Sequence, residues 1–347
     1  MRVVALEEHF LIPSLVDEHI DSASLNMDWL TPALRGELSD LGEHRLRSMD
    51  ASGITMQVIS ATMPGADLID GEGGIRFAVS TNDRLAQAVE THPNRFAGFA
   101  HLPMREPEAA ADELERAVRD LGFRGAMING LTEDRFLDDP RFEPVLARAA
   151  SLDVPIYLHP NVAPKAVFDA YYRGLPGLSG ALLSSGVFGW HSETAIHIFR
   201  LALSGTLERH PGLKFIVGHM GEMLPFMLAR ADDVLMGHGG FDRPVSEIIL
   251  DRVFITTSGV FSLPPFLSAL MTFGVGRILF SVDYPFNNNI RGATLLDMLP
   301  LSPVDLAQVS HGNADRLLKL SGESKFDDEA RVATAGPVLD GSSDARS

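Results

Sequence analysis

A closed (β/α)8 barrel, an α/β fold with long loops inserted after its first and fifth strands, is the architecture this sequence predicts. Three observations predict it: eight short apolar, β-branched runs, a longer amphipathic stretch after each, and metal-competent polar residues at the carboxyl ends of several runs. At 347 residues the chain lies within the range such barrels reach as one unit.

The runs are Arg2 to His9, Thr55 to Ala61, Phe96 to His101, Gly125 to Asn129, Val154 to His159, Lys214 to Gly218, Val253 to Thr257 and Arg277 to Val282. Between and after them the spacing predicts helices over roughly 40–52, 75–92, 107–121, 140–152, 192–210, 223–236, 263–273 and 303–320. Leu121-Gly122 and His210-Pro211-Gly212 put glycine or proline just past a last helical turn, where helices stop. Two segments are too long for connectors, roughly 10–39 and 160–191, and both follow the strand end where barrel enzymes place their chemistry. Residues 1–320 are expected to form the catalytic barrel. Residues 321–347, rich in Ser, Gly, Asp and Glu, read as a polar tail, flexible or packed on a neighbouring subunit.

With 45% hydrophobic and 22% charged residues the composition is that of a globular protein. A net charge of −17 repels phosphate backbones and anionic membranes, which argues against nucleic-acid and membrane partners while leaving a small ligand open. The absence of cysteine excludes disulfides, thiolate metal sites and cysteine nucleophiles, so any metal must be held by N and O atoms. No signal-peptide pattern precedes Glu7, and no apolar run reaches about 18 residues, so a cytoplasmic protein is expected.

Side chains alternate along a strand, so Glu7 and His9 project to one face and Glu8 to the other. The fifth run ends in His159 and the sixth leads into His219-Met220-Gly221-Glu222. The eighth ends at Asp283, a carboxylate that is costly to bury without a cation or a histidine beside it; as an alternative it caps the following segment. Strands one, five, six and eight of a barrel point their last side chains into the same cup. Imidazoles and carboxylates together suit Zn2+, Mn2+ or Fe2+ better than Ca2+ or Cu+.

These residues also carry a family resemblance. Ala5-Leu6-Glu7-Glu8-His9-Phe10, Tyr157-Leu158-His159-Pro160, Gly189-Trp190, Gly218-His219-Met220-Gly221-Glu222, Phe280-Ser281-Val282-Asp283-Tyr284-Pro285-Phe286 and Gly312-Asn313-Ala314 resemble the amidohydrolase superfamily. Within it they are similar to the nonoxidative aromatic acid decarboxylases acting on γ-resorcylate and 2,3-dihydroxybenzoate, over about residues 3–320. The resemblance implies that Glu7, His9, His159 and Asp283 ligate one divalent ion, Zn2+ or Mn2+, with His219 and Glu222 a pair close to the substrate that either supports the ligands from behind or takes part in catalysis. His9 matches a γ-resorcylate-like site, whereas Tyr284 after Asp283 is closer to the dihydroxybenzoate enzymes. The fourth run ends without the lysine that bridges two metals in binuclear relatives, so one ion is expected.

The activity implied is metal-dependent decarboxylation of an ortho-hydroxylated aromatic acid, a carboxy-lyase reaction, by a homo-oligomer (dimer or tetramer). Asp283 is the implied proton donor, and Trp190 and Phe286 are candidate walls of an aromatic pocket. Arg230 either reaches a substrate carboxylate or makes a structural ion pair. His101 sits at the end of the third run, and His191 and His197 read as ordinary polar neighbours. A metal-dependent hydrolase of a lactone or amide, using nearly the same cup, is the alternative, and a sugar- or small-acid-binding barrel is a third reading.

Overall fold

The computed structural model describes residues 1–20, 29–238, 240 and 242–320; the polar tail expected from 321 lies outside them. Among the described residues nine short strands run in the order β1 (Val4–Phe10), β2 (Met56–Ala61), β3 (Phe96–Gly98), β4 (Ala100–His101), β5 (Ala126–Asn129), β6 (Ile156–His159), β7 (Phe215–Val217), β8 (Val253–Thr256) and β9 (Ile278–Leu279). Every paired neighbour is parallel, in the orders β1-β2-β3 and β4 through β9. β3 and β4 are two halves of one barrel strand: Phe99 between them donates its N–H to the Ile59 carbonyl at 2.9 Å, and Ala100 donates to Gly125 at 2.8 Å. Eight strands therefore go round, as the eight apolar runs predict.

The ring closes where β1 meets the segment after β9. One parallel bridge joins Glu8 to Tyr284, and the His9 N–H donates to the Tyr284 carbonyl at 2.7 Å. Side chains supply the rest of that seam. The Glu8 carboxylate accepts from the N–H groups of Val282 (2.9 Å) and Tyr284 (3.1 Å), and Ser281 Oγ accepts from the Glu7 N–H at 2.7 Å.

The helices follow the alternation. α1 (Pro13–His19) and α2 (Pro32–Ser39) lie in the long first loop, and α3 (Glu43–Ser52) leads to β2. α4 (Gly71–Thr91), α5 (Pro107–Arg119) and α6 (Glu143–Leu152) cover the next strands. α5 opens on a proline at its first turn and buries Ala110, Ala111, Leu114 and Ala117, one stripe at helical spacing. The second long loop carries α7 (Lys165–Tyr171) and α8 (Ser179–Leu182), and then α9 (Gly189–Leu203) and α10 (Thr206–Arg209) lead to β7. The single helix expected over 192–210 is thus broken, because Gly205 adopts a left-handed φ of 74° between the two pieces. α11 (Leu224–His238) is followed by α12 (Val245–Arg252), which the sequence reading did not predict. After α13 (Leu263–Phe273) and β9 comes α14 (Asn289–Met298), also unpredicted. The expected 303–320 helix divides into α15 (Pro303–Ala307) and α16 (Asn313–Leu318) around a wide turn at 308–312.

The core has two shells. Val4, Leu6, Val58, Phe99, Met127, Tyr157, Ile216 and Leu279 fill the barrel, with Leu317 and Leu318 of α16 against them, while the larger cluster lies between strands and surrounding helices. Among the described residues no helix is long and apolar enough to cross a membrane.

Candidate metal centre

The first strand is not regular. Ala5 pairs with Gln57 and Glu8 with Ile59, so Leu6 and Glu7 together oppose the single residue Val58, which is a β-bulge. Strict alternation would turn Glu7 and His9 away from the face that Val4 and Leu6 use to fill the barrel. The extra residue resets the phase, so that Val4, Leu6, Glu7 and His9 all face inward while Ala5, Glu8 and Phe10 face out.

Glu7 lies fully buried, and its two oxygens have different surroundings. Oε2 accepts hydrogen bonds from the hydroxyls of Tyr157 and Ser258, and Tyr157 is in turn 2.9 Å from Thr256 Oγ1. A Cβ on residue 218 would come within 2.5 Å of this oxygen, so the cradle requires Gly218. Oε1 is buried and has no hydrogen-bond partner; it faces His159 Nε2 at 3.3 Å and His219 Nε2 at 3.5 Å. Burial alone would raise the Glu7 carboxyl, but the positive charge of His219 beside it holds it well below the usual carboxylate range.

His9 Nε2 is also buried without a hydrogen bond and lies 3.2 Å from Asp283 Oδ1. His159 engages its own Pro160 carbonyl through Nδ1 at 2.8 Å, which puts the proton on Nδ1 and leaves the Nε2 lone pair directed into the cup. One ligand atom each from Glu7, His9 and His159 lies within 4.8 Å of the others. Asp283 approaches the group from the segment after β9 through its contact with His9, at a left-handed φ of 72°, with Oδ2 accepting from Asn287 Nδ2 at 3.0 Å. A bare carboxylate oxygen and a bare imidazole nitrogen, buried side by side, are each costly unless a proton or a metal cation is shared between them, and the N and O donors suit a divalent transition ion.

Beyond β7 the backbone makes an unusual turn. His219, Met220 and Glu222 are non-glycine residues at φ 46°, 60° and 56°, a left-handed run that persists only where its surroundings over-determine it. Here the restraint is charge. His219 Nδ1 is 2.8 Å from Glu222 Oε1, Glu222 Oε2 bonds His191 Nδ1, and the Glu222 side chain is fully covered. Burial works against a charged His219, yet Glu222 and Glu7 outweigh it and raise the imidazole to about 10; Glu222, also opposed by burial, is brought down to about 2 by His219 and His191. Glu222 lies in this turn, ahead of α11, which begins two residues later.

The two proposed ring walls both lie beside the group. Phe286 packs edge-on against His9 with ring centroids 5.5 Å apart, and Trp190 lies 6.3 Å from His159 with its indole N–H buried and unpartnered. The structure does not bring Arg230 to the cluster. α11 buries Leu224 and Leu228, and residue 230 falls on the opposite, exposed face. His101 and His197 are satisfied inside the fold, accepting from the N–H groups of Ala66 and Leu137. His191, read as an ordinary neighbour, instead joins His219 and Glu222 in a second close-set trio. Sequence reasoning also passed over Tyr157, Ser258 and Asn287, because lone hydroxyl and amide residues at strand ends carry no spacing signal.

Fold and cup together define a barrel with a candidate metal site at the carboxyl ends of its strands. A family model described as Amidohydrolase matches residues 16–320, and the chain belongs to that family. It is 36% identical over 333 residues to the γ-resorcylate decarboxylase of Rhodococcus jostii, covering 91% of this chain and 98% of that one. A crystal structure of 2,6-dihydroxybenzoate decarboxylase complexed with 2,6-dihydroxybenzoate superposes with a TM-score of 0.83 at 34% identity, covering 92% and 100% of the two chains. The dihydroxybenzoic acid decarboxylase of Polaromonas sp. JS666, solved with bound manganese and the inhibitor 2-nitroresorcinol, gives 0.82 at 34% identity, over 92% and 98%.

Proposed function

We propose that this chain decarboxylates, without oxidation, an aromatic acid bearing a hydroxyl ortho to its carboxylate, of the dihydroxybenzoate or resorcylate type, using one divalent ion, Mn2+ or Zn2+. The observation that carries the reading is the pair of orphaned buried atoms, Glu7 Oε1 and His9 Nε2, converging with His159 and Asp283 in a cup flanked by aromatic rings. Glu7, His9, His159 and Asp283 hold the ion. A bound divalent cation supplies Lewis-acid stabilisation of charge on the substrate oxygens.

The chemical obstacle is protonation of the ring carbon that carries the carboxylate, since this interrupts aromaticity before CO2 departs. Asp283, next to His9 and oriented by Asn287, delivers that proton once it is itself protonated, after which the bond from the ring carbon to the carboxylate breaks, its electron pair restores the aromatic ring and CO2 leaves. His219, charged and fixed by Glu222, balances the anionic substrate and returns a proton to Asp283. Phe286 and Trp190 hold the ring between them and exclude water. The catalyst is a homo-oligomer, dimer or tetramer, a reading supported by the exposed apolar residues Val162 (69%), Tyr171 (75%) and Leu178 (71%) on the second long loop.

Metal analysis combined with a panel of 2,3-, 2,4- and 2,6-dihydroxybenzoates tests the proposal. Metal-loaded protein is expected to release CO2 from at least one of them, chelation to abolish release, and Asp283→Asn to remove turnover. A hydrolase would leave all three acids untouched, and that result would end this reading.

A further inference from the structure

Each of the two inward-facing histidines of the cup has a partnerless polar neighbour on the adjoining strand. His9 of β1 pairs in register with Ser60 of β2, and His159 of β6 pairs in register with Asn129 of β5. Register partners in a parallel sheet present their side chains to the same face. The residues two positions earlier, Val58 and Met127, line the barrel interior, so Ser60 and Asn129 face inward one layer nearer the cup. Ser60 is fully buried and its Oγ has no hydrogen-bond partner; Asn129 is 7% exposed and its Oδ1 has none either. Buried hydroxyls and amides are almost always satisfied, and two exceptions on the strands flanking the metal-binding histidines mark places where a ligand completes the bonding.

The character of this flank says which part of a ligand. A hydroxyl and an amide can each donate and accept but carry no charge, so neither is the natural partner of a carboxylate, which selects cationic or bidentate donors. Asp67 lies on the same side, with Asn161 Nδ2 donating both to its Oδ2 (3.4 Å) and to the Asn129 carbonyl (3.2 Å), while its other oxygen is buried without a partner. An acidic group there disfavours a second anion and favours an O–H donor. His101, on the intervening strand, is already taken by the Ala66 N–H.

We propose that Ser60 and Asn129 form a hydroxyl-reading flank that hydrogen-bonds a second ring hydroxyl of the substrate, the one not held with the carboxylate at the metal side. The inference rests on the decarboxylase reading for the identity of the ligand and adds which residues separate a dihydroxybenzoate from a monohydroxybenzoate.

The test is calorimetric binding to the Mn2+-loaded full chain. The probes are 2-hydroxybenzoate and whichever of the 2,3-, 2,4- and 2,6-dihydroxybenzoates the wild type binds best. Asn129→Ala is expected to weaken the dihydroxy acid by roughly ten-fold, the scale of one neutral hydrogen bond, and the monohydroxy acid by less than about two-fold. Ser60→Ala is expected to act in the same direction, with Mn2+ affinity unchanged in both variants. Equal weakening of the two acids, no weakening of either, or loss of Mn2+ binding would overturn the flank. Selective weakening in a protein that binds but releases no CO2 would support the flank and sink the decarboxylase reading alone, whereas a wild type that binds neither acid overturns both.

Discussion

Tyr157 shows how one side chain can set the geometry of a ligand it does not replace. Its hydroxyl and that of Ser258 converge on Glu7 Oε2, so the carboxylate cannot rotate and Oε1 alone is offered to the cup. Burial and the adjacent Glu7 charge push the Tyr157 phenol well above its usual value of 10, which keeps it protonated and therefore a donor at any working pH. Tyr157→Phe removes that donor while preserving the ring that packs against Phe99. We expect Mn2+ affinity to fall by about 10–100-fold, the usual consequence of removing a partner behind a metal ligand, with thermal stability of the metal-free protein much less affected. Metal titration followed by the Mn2+ paramagnetic resonance spectrum checks this. An unchanged affinity and spectrum would mean that Ser258 alone fixes the carboxylate. None of this was legible in the sequence, where Tyr157 reads only as an aromatic residue within an apolar strand, whereas Glu7, His9, His159 and Asp283 stood out because charged or imidazole groups at the ends of apolar runs are expensive to place there.

At the scale of elements, legibility followed the strength of the repeating pattern. The eight apolar runs showed through because each fills a buried layer, and α4 and α5 showed through because each carries a long apolar stripe. α12 has only eight residues and α14 has a weak stripe inside a polar, asparagine-rich stretch, so neither rose above its surroundings. The bulge in β1 was equally hidden, since Leu6 and Glu7 are ordinary strand residues until the partner strand shows that one position is missing. The turn after β7 departs furthest from a local rule, with its left-handed residues held by the His219–Glu222 pair. Its charge state can be tested in metal-free protein. With a folded value of about 10 against an ordinary 6.5, His219 contributes stability that is full below pH 6.5 and lost as pH rises through about 10. Glu222→Gln takes away the largest opposing charge, so the imidazole midpoint read by NMR is expected to fall by more than about a unit. A midpoint that stays put would show that Glu7, not Glu222, keeps the ring charged.

For the molecule as a whole the decisive place is the seam that closes the barrel, because β9 is only two residues long and the chain beyond it meets β1 through a single backbone bridge. Glu8, on the outer face of β1, takes the role of the missing ladder by accepting the N–H groups of Val282 and Tyr284, with Gln57 and Ser281 as further donors. Behind it Arg45, wholly buried, spans the same region, donating to the His9 carbonyl at 2.5 Å and lying over the Tyr284 ring. Removing the acceptor with Glu8→Ala leaves two buried N–H groups without partners and is expected to cost roughly 2–5 kcal/mol, seen as a lower denaturation midpoint. The pH dependence discriminates further. Burial pushes the Glu8 carboxyl up to about 8, against the pull of those N–H groups and of Arg45. A group raised above its ordinary 4.5 contributes stability that is full below pH 4.5 and lost as pH climbs through about 8. Wild type is therefore expected to exceed Glu8→Gln most at about pH 4.5 and below, with the gap narrowing toward pH 8 and above, as measured by urea unfolding at each pH. A gap that widens with pH would mean that the carboxylate is ionised throughout and that Arg45, rather than a shared proton, holds the two edges of the barrel together.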